Sequence, residues 1–575
     1  MKIQLLLGAS ALTLGACAQD IRPIPYTVTP LPAVTAQQAV TNTAVVSPIR
    51  YQDPLAGYTY RGPTGPRDWR TVAVGNEDSA VPLNIAAVLS DPGETLNGIV
   101  ITGVPSEVTL SAGVYTEPKA GFANIASQIT PAIGKRTVFA ETQAENEALK
   151  KQVHGMVHRK TISADTAVQV ALLNNKGLQA SYANVGLSAA DAWQESTPEN
   201  PIVSIGILGI GAPELGAYRA IEGLIRANLL EATTRKKRRA LADTNFRQAQ
   251  LAAVNDTLAL ANQTRQAWIA SVTAFEAVGY LKRAKATSDA GSELARKLGE
   301  TGALNKANQA REQAFNAELA GQLARARLNA TKSKEELTRL MGLWGTEVDY
   351  YVPDALPKLP RSVGSIGNIE AKALRNRVDL RVAKLGLEAQ ALAYGLTDQT
   401  RIVSDLEIVG GAELEREVGE DGDTEKVITP QVELEFAIPI FDSGKARMRK
   451  AELAYLQSAN VLAETAVNVR SEARGAEASY HASYKIARHY QDILVPLTRT
   501  VEEEGLLSYN GMITNTFELL TDVRQKLAAS LEAANAKSDF YMAQADLTAA
   551  IYGGGAGGGG DGEGAALAAG GGAPH

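Results

Sequence analysis

Two hydrophobic periods alternate along this chain. Residues 431–441 read Gln-Val-Glu-Leu-Glu-Phe-Ala-Ile-Pro-Ile-Phe, so Val432, Leu434, Phe436, Ile438 and Ile440 share one face and Gln431, Glu433, Glu435 and Ala437 the other. Alternation with period two predicts a strand. About ten residues is the length a tilted strand needs to cross a bilayer, and an apolar outside with a charged inside suits a barrel wall over a wet lumen; a half-buried sheet edge carries the same pattern. Directly afterwards the period changes. Asp442 or Ser443 is placed to cap a helix, and from Tyr455 small and apolar residues recur at steps of four and three: Ala459, Leu462, Ala466, Val469, Ala473, Ala476, Tyr480, Ser483, Ala487, Tyr490, Leu494, Leu497, Val501. A seam this long predicts coiled-coil packing, with alanines that let neighbouring helices approach closely. Pro496 inside it predicts a local kink. Ser508-Tyr-Asn-Gly511 reads as a turn, after which a returning helix (Phe517, Leu520, Val523, Leu527, Leu531, Ala534, Tyr541, Ala545) runs to Ile551 and stops at Gly553.

The same plan occurs earlier. Ala171-Leu-Leu-Asn174 followed by Leu178 has the spacing of Ala373-Leu-Arg-Asn376 followed by Leu380. Each opens a short helix of roughly 45 Å, then strand-like sequence (202–208; 402–414), then a long helix, which in the first copy steps through Leu251, Val254, Leu258, Ala261, Trp268, Val272 and Phe275. The first turn, at Gly299-Glu-Thr-Gly302, parallels Gly511, and Leu340-Met-Gly342 closes the first copy as Ile551-Tyr-Gly553 closes the second. Residues 161–342 and 368–553 are therefore duplicated units. Residues 443–508 make roughly 100 Å of helix, which matches a return helix of roughly 58 Å stacked on a short one, and the Pro- and Gly-rich linker 343–367 falls at that equatorial junction. The second strand of the first copy, within 215–230, alternates poorly. Two strands per copy give four per chain, and a bacterial outer-membrane barrel needs at least eight: spanning strands would require oligomers, eight strands in a dimer or twelve in a trimer.

Composition adds the cellular setting. Alanine dominates the second half and aromatics are 5%, which suits long helices better than large globular cores. A net charge of -6 leaves no basic footprint for nucleic acid. Residues 1–16 have the layout of a secretory signal peptide, too short to span a membrane. The only cysteine, Cys17, follows Leu14-Gly-Ala16 in an arrangement that resembles the lipobox of bacterial lipoproteins, and Ala18 after it implies sorting to the outer membrane. Cys17 is thus the expected site of lipid attachment. The prolines of 17–50 (Pro23, Pro25, Pro30, Pro32, Pro48) predict an extended tether, segment 51–150 reads as irregular or β-rich, and 554–575 as a disordered Gly-rich tail.

Taken together, the duplicated layout, the Pro439-Ile-Phe-Asp442-Ser-Gly444 junction and the Glu518-Leu-Leu-Thr-Asp522 segment resemble the TolC-type outer-membrane efflux family in its lipoprotein branch, over 161–553. The resemblance implies a mainly α fold with a membrane β-barrel: a homotrimer whose twelve-stranded barrel sits on an α-helical tunnel in the periplasm. It also implies a periplasmic adaptor (membrane fusion) protein and an inner-membrane pump as partners. Gly302, Leu304, Gly511 and Ile513 would then form the periplasmic tip and adaptor-docking turns, with Glu518 and Asp522 at the entrance constriction. Thr521 stands where the family often carries another acid. The alternation places Glu433 and Glu435 on the lumen side, with Glu407, Glu413 and Glu415 on the paired strand, where rings of carboxylates select cations.

Catalytic chemistry is not legible. His154 and His158 have helical i, i+4 spacing, but no carboxylate completes an HExxH-type zinc site, and a solvated helix face accounts for them. Gly444-Lys445 lacks the upstream glycine of a phosphate loop, and Gly209-Ile-Gly211 meets Glu214 where a dinucleotide fingerprint needs glycine. No nucleophile, base and orienter set is recognisable, so no enzyme, cofactor or metal is expected. The basic run Arg235-Lys-Lys-Arg-Arg239 reads as a solvated helix face or a contact to lipid headgroups. The expected function is a passive conduit for efflux or protein secretion. The competing expectation is a periplasmic coiled-coil scaffold lipoprotein without a pore.

Overall fold

Helix–helix–strand–strand–long helix–return helix is the order of elements in both halves of the chain. The computed structural model describes residues 95–96, 99–100, 112–210, 218–302, 304–403, 405–418, 424–511 and 516–555. Cys17, Ile513, the signal and tether regions and nearly all of the tail lie outside the described residues.

Strands β1 (Thr95–Leu96) and β2 (Ile99–Val100) pair antiparallel. Segment 51–150 is expected to be irregular or β-rich; its described part holds this short β pair and a 3-10 turn (Ala112–Val114), and beyond them the helix α1 (Phe122–Ile133) and the start of α2 (Gln143–Val157). The reason is local. Ile125 and Ile129 step by four into the core, as do Leu149, Val153 and Val157, and Thr142 with Glu145 makes a reciprocal capping box at the start of α2.

The first repeat comprises α3 (Ala164–Asn174), α4 (Lys176–Ser196), β3 (Ile202–Leu208), β4 (Ala220–Asn228), the 72-residue helix α5 (Leu229–Glu300) and the return helix α6 (Lys306–Met341). After a 3-10 turn at Gly345–Val348, the second repeat comprises α7 (Ile369–Asn376), α8 (Val378–Gln399), β5 (Leu406–Val418), β6 (Thr424–Phe436), α9 (Lys445–His489), a π-turn (Tyr490–Leu494), α10 (Val495–Asn510) and α11 (Thr516–Tyr552). The kink expected at Pro496 takes the form of that π-turn. Proline has no N–H to donate and its ring crowds the carbonyl four residues back, so the helix widens just before it.

Each short helix breaks in two, and the repeated Ala-Leu-X-Asn motif marks the place. At the first break Asn175 accepts from Leu178 N (3.1 Å) and donates to Leu340 O (2.9 Å). Asn174 donates to Met341 O (3.2 Å) and Gly342 O (2.6 Å). The two amides thereby satisfy carbonyls that the end of α6 leaves without intrahelical partners. At the second break Arg377, buried, lies 2.5 Å from both Asp379 and Glu472.

The linker between the repeats is tied down from both sides. Glu276 of α5 accepts from Lys537 Nζ of α11 (3.1 Å) and from Leu356 N (3.2 Å). Tyr541 donates to Lys358 O and Tyr484 to Arg361 O. The main core gathers α1–α5 and the end of α6 around Ile129, Val157, Leu172, Phe246, Val272 and Met341.

Two expected boundaries move. β6 starts earlier than the 431–441 stretch and ends at Phe436, leaving Ile438 and Ile440 beyond the strand; Pro439 cannot donate to a ladder. The N-cap of α9 is Gly444 at φ 71, not Asp442 or Ser443; Asp442 acts one step earlier by accepting from Gly444 N (2.8 Å).

Candidate functional site: a one-sided sheet and two hairpin tips

Strands β3-β4-β5-β6 form one antiparallel sheet in chain order. Register decides what each face carries. Val203, Ile205 and Ile207 lie opposite Ile225, Gly223 and Ile221; these and Ala227 lie opposite Gly410, Ala412, Leu414 and Ile408; and these in turn lie opposite Val432, Pro430, Ile428 and Leu434. One face is thus free of charge over these positions of the four strands, with Arg416 opposite Lys426 beyond them near the ends of β5 and β6, and it is open: Ile205 is 76% exposed and Val432 78%. β4 shares this arrangement although its alternation is poor, because Leu224 breaks the pattern on the opposite face, beside the site where a side chain on Gly411 would sit.

The opposite face holds all five glutamates expected there. Glu407 and Glu435 are direct cross-strand partners, an arrangement that like charges disfavour. Arg226 of β4, 3.9 Å from each, offsets it. Glu415 is held by Arg219 at 2.9 Å, and Glu222 accepts from Gln431 at 2.8 Å. Glu413 and Glu433 have no cationic partner among the described residues. Arg219 and Arg226 were not anticipated from the sequence, although Glu222 and Arg226 are the second and fourth positions on the polar side of β4.

Where sheet meets helices, the basic run proves to be structural rather than a free face. Arg235 donates to Ser196 O, the last residue of α4 (2.7 Å), Lys237 donates to Gly395 O near the end of α8 (3.2 Å), and Arg238 pairs with Glu231 (2.6 Å). Cations are well placed on C-terminal carbonyls, where unsatisfied groups and the helix dipole both favour them.

At the far ends of the long helices the two tips differ. α5 ends on Gly302 at φ 77, with Leu304 N donating to Leu298 O (3.1 Å), and Asn305 caps α6. Gly511 ends α10 at φ -78, a conformation open to any residue. Glu518 is exposed near the start of α11, and the carboxylate of Asp522 packs against Gly505 of α10. Beside them lie contacts that the sequence did not single out. Arg524 of α11 lies 4.2 Å from the ring of Phe315 and 3.5 Å from Glu318, both on α6, while Lys526 pairs with Glu502 of α10. Glu518 and Asp522 thus stand toward the Gly511 end of the α10–α11 pair, while Ile513 lies outside the described residues.

No cluster of three or more metal-ligating side chains occurs among the described residues. His154 and His158 stack with centroids 4.5 Å apart, and His158 Nδ1 lies 3.2 Å from Thr346 O. No described helix is long and apolar enough to cross a membrane.

No protein-family profile and no curated protein matches the sequence. Solved structures do match the fold. A membrane protein from Pseudomonas aeruginosa superposes with a TM-score of 0.57 at 15% identity, over 68% of this chain and 93% of that one. The Campylobacter jejuni CmeC outer membrane channel gives 0.56 at 17% identity, over 68% and 86%. The outer membrane protein VceC from Vibrio cholerae gives 0.54 at 16%, over 68% and 96%.

Proposed function

We propose that this chain, which has the fold of the TolC-type outer-membrane channels, is the outer-membrane exit duct of an efflux or type I secretion machine: a passive homotrimeric conduit that opens toward a periplasmic adaptor and an inner-membrane pump. The observation that carries the reading is the four-stranded sheet with one exposed face that is apolar over most of its length, charged only at Arg416 and Lys426 near one end, and two open edges, β3 and β6. An exposed apolar face of this extent is costly in water and favourable in lipid. Open edges have unpaired backbone groups that lipid cannot satisfy, so a membrane requires closure. Three copies joined β6 to β3 close a barrel of twelve strands, with the glutamate face lining the lumen. Lipid on Cys17 adds an anchor to a wall that already holds itself in the bilayer. Gly302, Leu304, Gly511 and Ile513 then make the adaptor-docking tips, and Glu518 with Asp522 the entrance.

Purification tests this directly. The expected result is a protein that needs detergent, has the mass of a trimer and forms conducting pores in planar bilayers; Cys17→Ser keeps the trimer and weakens membrane retention. A water-soluble monomer after removal of the lipid overturns the reading and leaves the coiled-coil scaffold. Crosslinking from Gly302 and Gly511, each replaced by cysteine in the Cys17→Ser background, reports whether an adaptor meets the tips.

A further inference from the structure

The apolar seam of the first hairpin contains one misplaced residue. On α6 the inward positions run Leu323, Leu319, Phe315 toward the tip, packed with Leu281 and Ala284 of α5 and Leu527 of α11. One turn further along stands Glu312, 1% exposed, with neither carboxylate oxygen hydrogen-bonded to any described group. It fits because α5 offers Gly291: a side chain there would come within 2.8 Å of Glu312 Oε1. A buried carboxylate without a partner is strongly disfavoured relative to its neutral form. Burial pushes the Glu312 carboxyl above its ordinary range, with Arg524 acting in the other direction.

The surrounding charges are otherwise engaged. On α5, Lys285 pairs with Asp289, which also accepts from Asn316 (2.9 Å), and Arg296 pairs with Glu293 (2.8 Å) and Glu300. On α6, Arg311 donates to Asn308 (3.0 Å). From α11, Asp522 packs against Gly505, and Arg524, a cation whose charge acts on Glu312, pairs instead with Glu318, six residues from Glu312 on α6 and exposed.

We propose that Glu312 is a proton-operated latch at the entrance: while it is neutral, Arg524 stays on Glu318 and the tip packs as described, and loss of its proton draws Arg524 toward Glu312 and loosens the α5–α6 seam. The packing argument for the latch stands by itself; its consequence for an entrance rests on the channel reading. A group whose pKa is raised by folding stabilises the packed form fully below the ordinary carboxylate range, and that contribution is lost as pH rises through the raised value. Because one proton is involved, each pH unit between the ordinary carboxylate range and the raised value shifts the hairpin's packing equilibrium by at most about tenfold.

Hydrogen exchange of the detergent-solubilised full chain, corrected for intrinsic rates, reads this out. From mildly acidic to mildly alkaline buffer, protection of the seam around Glu312 is expected to fall in the wild type and to stay level in Glu312→Gln. Infrared difference spectra across the same pH range are expected to show the loss of a protonated-carboxyl band that is missing in Glu312→Gln. Arg524→Gln, which removes the alternative partner, shifts the loss of protection to higher pH. Equal pH profiles in wild type and Glu312→Gln, or no such band, overturn the latch whether or not the protein conducts. If the exchange profile holds and conductance through the trimer ignores pH, the latch stands and its link to the entrance falls.

Discussion

The long helix of the first repeat and that of the second occupy the same place in a duplicated plan, yet their surroundings differ sharply. α5 touches α1, α3, α4, α6, α8 and α11, and it buries residues along most of its length, including Phe246, Val254, Thr257, Thr264 and Val272. α9 buries only Val469, Ala473 and Ala487, and α10 buries none. Val467, Ile486, Leu497 and Leu507 instead stand open. One copy of the unit is completed inside the chain, whereas the other displays apolar side chains that a neighbouring copy would cover in the proposed trimer. Duplication supplies the helix; the remaining segments of the chain decide which copy they enclose.

Matched truncations test that comparison most severely. Phe246→Ala removes a fully buried ring and is expected to cost about 3–5 kcal/mol in denaturant unfolding. Ile486→Ala, at a site 52% exposed in the chain, is expected to cost well under ~1 kcal/mol in a dissociated chain, and Val467→Glu is expected to leave the chain folded while splitting the assembly, as seen by mass. Similar losses from Phe246→Ala and Ile486→Ala in dissociated chains would break the comparison.

The joint between the halves comes next. Lys537 and Glu276 form an ion pair whose side chains are 17% and 7% exposed, and breaking a buried pair from one side leaves an uncompensated charge at a cost of about 3–5 kcal/mol. Lys537→Met is expected near the low end, because Glu276 keeps Leu356 N and Tyr280 as donors. Adding Glu276→Leu should recover most of the loss. If the double variant is no better than the single, the pair is not what joins α5, α11 and the linker.

How much of this was legible depends on the scale of the signal. Long seams and period-two runs sum over many residues, so the helices of the two repeats, strands β3, β5 and β6 and the face on which Glu407, Glu413, Glu415, Glu433 and Glu435 lie follow from the sequence. Features set by one or two residues were harder to read. The α1–α2 region hides behind Gly and Pro punctuation, and its clearest marker was the Thr142–Glu145 box. The breaks at Asn175 and Arg377 depend on what lies across from them in space, the end of α6 in one case and Glu472 in the other. β4 was obscured by a single leucine on its polar face. Glu312 looks like any helical glutamate until its seam neighbours are known.

A smaller effect separates the two tips. Gly302 has open space around it, so Gly302→Ala is opposed only by its left-handed backbone, about 1–2 kcal/mol. Gly511→Ala meets no such penalty and is expected to stay within about 0.5 kcal/mol. Local hydrogen exchange at each tip resolves the two; equal losses would mean that the tips are more alike than their backbones indicate.

The smallest effect concerns the sheet, where the arginines of one face come from the first repeat and all but one of the glutamates named on it, Glu222, from the second. Glu407, Glu413, Glu415, Glu433 and Glu435 come from the second repeat, and Arg219 and Arg226 from the first. If that face lines a lumen, threefold symmetry turns each residue into a ring, and the excess of carboxylates favours cations. The preference should be modest, since Arg219 and Arg226 lie against three of the five glutamates and salt screens the rest over about 10 Å. Reversal potentials across a salt gradient are expected to show weak cation selectivity in the wild type, to move toward neutrality in Glu413→Gln with Glu433→Gln, and to move the other way in Arg226→Gln. The opposite signs of these shifts are the discriminating result: they require both repeats to face the same water-filled space. Anion preference in the wild type would mean that the first repeat's arginines dominate the field, and no shift in any variant would place the conducting path elsewhere.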